Sequence, residues 1–356
     1  MNEALIIAEL GTSHGADAGK ARELIDAAAG AGADCVKFQM VYADEILHPN
    51  TGEVALPGGR IRLYDRFREL ERDLGFYADL KGYTETKGLL FLCTPFGPRS
   101  ARELLSLEPA LMKIASPELN HVKLLAELAH YPKRLFLSTG VSKISDIEAA
   151  LDILSGGPDV CLLHCVTAYP APETDYNLRV MQNLSAIFGV PAGVSDHSLD
   201  PELVPVLAAA LGAAAIEKHF CLSRDDPGLD DPIALPPADF KRMVKSVRHI
   251  AGMDKETALE EIKRDRGASL VEKILGDGVK RLSPAEKANY GRTNRSLHAL
   301  GDIQPGEIIR ADMLAALRTE KILRPGLPPC REDEITGRRA RLFIPAGEGI
   351  RAEDLD

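Results

Sequence analysis

Gly193-Val194-Ser195-Asp196-His197-Ser198 opens a stretch that closes on Ile216-Glu217-Lys218-His219-Phe220, with an alanine-rich run over residues 208–215 between them. The apolar runs 191–194 and 213–216 are bounded by glycine or proline and too brief for helices, so they read as two buried strands flanking one helix. Each polar cluster then falls where a strand ends. His197 and His219 stand side by side at the same end of neighbouring parallel strands. Two neutral imidazoles converging on a cleft suit a borderline divalent metal. The plainer alternative is a pair of core or rim histidines, each satisfied by a nearby carbonyl, and the matched placement of the two leaves both readings open.

The same alternation runs outward in both directions. β-type runs at 5–9, 35–39, 89–94, 111–115, 134–138, 160–165, 191–195 and 214–219 make eight strands. Amphipathic segments such as 21–29, 99–106, 124–130, 144–154 and 202–211 lie between them. Eight such alternations predict an α/β chain folded as a (β/α)8 TIM barrel, not an open sheet. The longest connection, 41–71, holds Pro49-Asn50-Thr51-Gly52 and Pro57-Gly58-Gly59 and reads as a long loop serving as a lid or substrate wall.

The barrel pattern ends with helices around 238–250 and 254–266. We place the barrel domain at 1–275, a polar linker at 276–294 and a small β-rich domain at 295–356. In the last, Ile303-Gln304-Pro305-Gly306-Glu307-Ile308-Ile309 and Ile344-Pro345-Ala346-Gly347-Glu348-Gly349-Ile350 form a weak internal repeat. About sixty residues hold little core of their own. The domain is therefore expected to lean on a barrel, its own or that of a second protomer.

Composition narrows the function classes. With 356 residues, 45% hydrophobic and 27% charged, the chain is an ordinary soluble globular protein. A net charge of -10 argues against generic binding to nucleic acid or anionic membranes, yet leaves room for a local basic pocket. No run approaches the roughly 18 to 20 apolar residues of a membrane span. The start, Met1-Asn2-Glu3-Ala4, lacks the basic region of a signal peptide, and a cytoplasmic location is expected. The cysteines fall mostly in strand-like runs with no CxxC pair, and read as reduced thiols.

Barrel chemistry collects at the C-terminal ends of strands. Those ends carry Glu9, Lys37 with Gln39, Thr94, Lys113 with Ser116 and Glu118, Ser138, Thr167 with Tyr169, Ser195 with His197, and Glu217-Lys218-His219. Barrel interiors are normally filled by Val, Ile and Leu, so this set calls for a polar ligand. Two lysines and several hydroxyls are the donors of a phosphate clamp. In a rival arrangement Lys37 and Lys113 pair with Glu9 and Glu118 as buried salt bridges. In another, Lys113 is the Schiff-base nucleophile of an aldolase, which leaves the histidines unexplained. A non-catalytic scaffold that binds glycans or a partner protein is the third.

Seven segments in order carry a resemblance: Leu5-Ile6-Ile7-Ala8-Glu9-Leu10-Gly11, Val36-Lys37-Phe38-Gln39, Cys93-Thr94-Pro95-Phe96, Lys113-Ile114-Ala115-Ser116-Pro117-Glu118, Leu137-Ser138-Thr139-Gly140, Gly193-Val194-Ser195-Asp196-His197 and Glu217-Lys218-His219-Phe220. They are similar to the successive motifs of the sialic acid synthase family, whose members join a TIM barrel to an antifreeze-like (SAF) domain. Residues 295–355 resemble that second domain. The resemblance implies condensation of phosphoenolpyruvate with an N-acylated hexosamine to a nonulosonic acid. It also implies a divalent ion, Mn2+ or Mg2+, on His197 and His219.

By the same resemblance Lys37, Thr94, Lys113, Ser116, Ser138, Thr167 and Ser195 hold phosphoenolpyruvate. Glu118 and Glu9 are the implied catalytic carboxylates. Gln39, Tyr169 and Asp230 line the sugar site, together with an arginine that family members supply from the partner subunit. Arg318 fits that arginine by its position after Asp312, and Arg324 of Arg324-Pro325-Gly326 is the second candidate. A domain-swapped homodimer is the corresponding expectation. Thr167 stands where many members have Asn, Pro117 where Gly is common, and the Pro57-Gly58-Gly59 loop lacks an Asn found in some members. These departures bear on the acceptor more than on the reaction.

Overall fold

The structure, a computed structural model, describes residues 3–56, 59–320 and 322–356. Met1, Asn2 and the Pro57-Gly58 part of the expected wall lie outside the described residues. Eight parallel strands close into a barrel in chain order: β1 (Leu5–Gly11), β2 (Cys35–Met40), β3 (Leu90–Pro95), β4 (Leu111–Ile114), β5 (Arg134–Ser138), β6 (Asp159–Cys165), β7 (Ala192–Asp196) and β8 (Ala215–His219). β1 pairs with β8, Glu9 opposite His219, which completes the ring.

The alternation of side chains along a strand sorts each strand into two faces. Ile6, Val36, Met112, Leu135, Leu162, Val194 and Ile216 point out into the main core beneath the helices. Ile7, Cys35, Leu92, Leu111, Phe136, Cys161, Leu163 and Ala215 point in and form an apolar plug. Two residues further along the same inward face stand Glu9, Lys37, Thr94, Lys113, Ser138, Ser195 and Glu217. The plug is thus the floor of a polar mouth. Close strand packing at one edge demands Gly193, since a Cβ there would meet the Ala215 carbonyl oxygen at 2.1 Å.

The connection after β2 is more ordered than a loop. It contains a short helix (Ala43–Ile46), a hairpin (Glu53–Leu56 with Gly59–Arg62) and a helix (Leu63–Leu70). Its own apolar cluster explains this, because Leu63, Phe67 and Leu70 at helical spacing pack against Ile46, Val54 and Phe96. No helix among the described residues is long and apolar enough to cross a membrane. All six cysteines are free, and five of them are buried.

After the helices Lys255–Arg266 and Ala268–Leu275, residues 276–294 carry no regular element. The small domain begins with the antiparallel pair β9 (Ser296–Ala299) and β10 (Leu314–Leu317). Its two repeat copies pair with each other: Ile303 N donates to Ile344 O at 2.9 Å, and Ile344 N to Ile303 O at 3.0 Å. Both turn glycines, Gly306 and Gly347, take the positive φ that such turns need. The domain's core is small, built on Leu297, Ile303, Ile309, Ile335, Ile344 and Ile350. It leans on its own barrel, where Arg318 N donates to Ile46 O at 3.0 Å and Asn50 Nδ2 to Ala346 O at 2.9 Å.

Candidate active site

At the centre of the mouth Glu217 lies between two lysines. Lys113 Nζ is 2.9 Å from both of its oxygens, Lys37 Nζ is 2.8 Å from Oε1, and Ser195 Oγ donates to Oε1 at 2.9 Å. Lys37 also reaches Glu9 Oε2 at 3.3 Å, while Gln39 Nε2 donates to Glu9 Oε1 at 2.6 Å. Of the rival salt-bridge arrangement, Lys37 with Glu9 is present, but Lys113 with Glu118 is not, because Glu118 lies on the turn past β4 and is taken up by arginines. Glu217 stands in the strand-end set read from the sequence, but no role was assigned to it there. Its place on the inward face, two residues before His219 and two after Ala215, is the signal that could have given it one.

The electrostatics follow from burial and neighbours. Burial raises Glu9 to about 7, with Lys37 opposing the shift and Glu217 adding to it. For Glu217, burial is outweighed by Lys113 and Lys37, and its carboxyl is held well below the ordinary range. Burial lowers Lys113 to about 8 despite Glu217. Two hydroxyls in the same ring, Thr94 Oγ1 and Ser138 Oγ, are buried with no hydrogen-bond partner. Unpaired buried hydroxyls are rare and mark either strain or a missing ligand.

Ser116 Oγ accepts from Gly140 N at 3.0 Å. Gly140 must lack a side chain, since a Cβ would meet Thr167 Oγ1 at 2.1 Å and Ser116 Oγ at 2.9 Å. Glu286, from the stretch before the small domain, accepts from Val141 N at 2.7 Å and Thr167 N at 2.9 Å. That carboxylate holds the turns after β5 and β6 together, and nothing in the local sequence announces it.

His197 and His219 have ring centroids 5.4 Å apart. His197 Nδ1 is 2.9 Å from Val166 O, which assigns a proton to Nδ1, while Nε2 faces the Tyr169 hydroxyl. Burial and the neighbouring His197 push His219 well below its ordinary value, so it stays neutral. With nitrogen-to-metal bonds on the order of 2 Å, two rings at this separation fit one divalent ion. Among the described residues no group of three His, Cys, Asp or Glu side chains is gathered to hold a metal. A divalent ion held here would have the two imidazoles as its protein ligands. Asp230 Oδ2 lies 3.8 Å from His219 Nδ1, and burial raises Asp230 to about 6.

Tyr169 covers this pair. Its ring stacks on His197 at 4.3 Å and meets His219 edge-on at 6.0 Å, with the hydroxyl 3.3 Å from His197 Nε2. Above it opens a cavity of about 460 Å3 bordered by Gln39, Phe67, Phe96, Tyr169, Asp230 and Arg318. Arg318 donates to Glu118 Oε1 through Nε at 3.0 Å and Nη2 at 2.6 Å. Arg324 instead pairs with Asp354 at 2.5 Å inside the small domain. Arg318, and not Arg324, thus reaches the barrel mouth.

A closed barrel with a cationic, hydroxyl-lined mouth and a small domain over it defines a class, and the comparisons name it. Residues 24–258 match the model of the NeuB family and residues 294–356 that of the SAF domain. The chain belongs to the NeuB family. It is 35% identical to the spore coat polysaccharide biosynthesis protein SpsE of Bacillus subtilis, over 98% of this chain and 93% of that protein. It is 32% identical to an N,N'-diacetyllegionaminic acid synthase of Campylobacter jejuni, over 99% of this chain and 100% of that one. The crystal structure of the Bacillus subtilis protein superposes with a TM-score of 0.80 at 33% identity, over 99% of this chain and 95% of that one.

Proposed function

We propose that this protein condenses phosphoenolpyruvate with the open-chain aldehyde of an N-acylated hexosamine, giving a nonulosonic acid and phosphate. The observation that carries the reading is the ring of Lys37, Lys113 and Ser195 with the partnerless hydroxyls of Thr94 and Ser138, set beside two imidazoles in one barrel mouth. Lysine charge and hydroxyl donors take the phosphate and carboxylate of phosphoenolpyruvate, with Ser116 and Thr167 at the turn behind them. Gln39, Tyr169, Asp230 and Arg318 line the cavity for the sugar. A Mn2+ or Mg2+ ion on His197 and His219, when bound, supplies Lewis-acid polarisation of the aldehyde oxygen.

In the reaction, C3 of phosphoenolpyruvate forms a bond to the aldehyde carbon and the aldehyde oxygen takes a proton. Water adds at C2, and the C2–O bond to phosphate breaks. Glu118 is suited to move the proton, since Oε1 is anchored by arginine and the buried Oε2 has no partner. Glu9, raised to about 7, is the second candidate. Phosphate release from phosphoenolpyruvate with an N-acylhexosamine and manganese tests the reading. A rate unchanged by EDTA removes the metal from it.

One observation favours a second reading: Lys113, lowered to about 8, has the value a Schiff-base lysine needs. Its two contacts to Glu217 stand against this. Borohydride trapping of a pyruvate adduct on Lys113 would decide for it. We also propose that the protein works as a domain-swapped homodimer, whose dimeric state sedimentation tests.

A further inference from the structure

Arg295 stands where the connector meets the small domain, and its side chain is 0% exposed. The guanidinium reaches four separate parts of the chain. Nε and Nη2 are 3.1 and 2.9 Å from Glu118 Oε1, past β4. Nη2 also donates to Phe96 O, past β3, at 2.8 Å. Nη1 donates to Glu45 O at 2.6 Å and Ile46 O at 3.2 Å, past β2, and to Ala316 O of β10 at 3.2 Å. Asn120 grips its backbone from both sides, accepting from Arg295 N at 3.1 Å and donating to Arg295 O at 2.8 Å.

The asymmetry at Glu118 is informative. Arg295 and Arg318 both bond Oε1, and Oε2 is buried without a partner. A guanidinium recruited only to neutralise a buried carboxylate would take both oxygens in the bidentate manner. Here one oxygen is anchored and the other is left available, which is how a proton-carrying carboxylate must be held. Burying a second guanidinium beside Arg318 is costly: burial, together with Arg318, lowers Arg295 to about 10 even though Glu118 opposes the shift. Neither contact with the reactants nor packing explains that cost.

We infer that Arg295 is a positioning residue that anchors Glu118 by Oε1, keeps Oε2 free for the reactants, and locks the small domain's β10 to the three loops bordering the acceptor cavity. The inference rests on the reading of Glu118 as proton carrier. Lysine at 295 keeps the charge and loses the planar fork that joins four carbonyls and a carboxylate at once.

The test is steady-state kinetics of the full-length, metal-loaded protein with Arg295→Lys, Asn120→Ala, Glu118→Gln and the double variant Glu118→Gln/Arg295→Lys. R295K is expected to lower kcat about 10- to 100-fold, as a misplacement near 1 Å does. Its KM for phosphoenolpyruvate is expected to stay within about twofold, because the phosphate ring is not touched. The limb of the kcat–pH profile that E118Q abolishes should move in R295K, and the double variant should be no slower than E118Q. N120A, which leaves both arginines in place, should show the same pattern at smaller size, and stands in if R295K does not fold. Wild-type kcat and an unmoved profile in R295K and N120A, or losses that multiply in the double variant, would overturn the inference. Wild-type protein that releases no phosphate with any acceptor would instead overturn the functional reading, and this inference with it.

Discussion

Lys113 Nζ sits 2.9 Å from both oxygens of Glu217, so an internal carboxylate occupies the place between Lys113 and Lys37. Removing that charge leaves two buried ammonium groups facing one another, with Glu9 beside Lys37. Breaking a buried pair in this way costs about 3–5 kcal/mol. We predict that Glu217→Gln is destabilised by that order, measured by urea unfolding. Inorganic phosphate should restore part of the loss, since an anion that binds only the folded state stabilises it. A variant as stable as wild type without phosphate would show that Glu217 does not organise the lysines.

The hydroxyls of Thr94 and Ser138 give the opposite sign. Each is already without a partner in the free protein, so Thr94→Val and Ser138→Ala remove an unsatisfied buried group and are expected to leave the melting temperature unchanged or slightly raised. Each should raise KM for phosphoenolpyruvate about tenfold, the value of one lost hydrogen bond to a charged ligand. Loss of stability without a change in KM would place these hydroxyls in the scaffold instead.

Lys113 sets an alkaline limit. Burial lowers its ammonium to about 8, and the proposed reaction uses that charge to hold the phosphate. We expect kcat/KM for phosphoenolpyruvate to fall as pH rises through about 8. Bound phosphate is anionic and raises the lysine again, so the same limb should be weaker or displaced upward in kcat. Lys113→Arg, charged at every accessible pH, should lose the limb whatever its absolute rate. A profile flat to pH 10 would contradict the shift.

The acceptor cavity carries Asp230 and Glu320 against one arginine, Arg318, among the described residues. That arginine is already bonded to Glu118 at 2.6 Å and stands 4.0 Å from Glu320. An uncharged acceptor is therefore expected to be preferred over its phosphorylated counterpart. A difference in kcat/KM of at least about tenfold corresponds to one unfavourable charge contact of about 1.4 kcal/mol. Comparing N-acetylmannosamine with its 6-phosphate measures this, and preference for the phosphate would refute it.

Much of this was readable along the chain because it is periodic. Eight β-type runs separated by helical ones allow one closed parallel arrangement. The alternation along each strand then places Glu9, Lys37, Lys113, Ser195 and His219 on one face. The connection after β2 was harder, because Leu63, Phe67 and Leu70 make a helix only once Phe96 and Ile46 are there to receive them.

Sequence by itself determined the barrel, the inward set at its mouth and the presence of a second small domain, since each is a matter of local spacing and composition. Tertiary structure alone decided which charges meet. Glu217 rather than Glu118 answers Lys113, Arg318 rather than Arg324 enters the mouth, and Arg295, 177 positions from Glu118, fixes it. Pairing between residues so far apart depends on how the linker returns the small domain to the barrel, and no local pattern encodes that path.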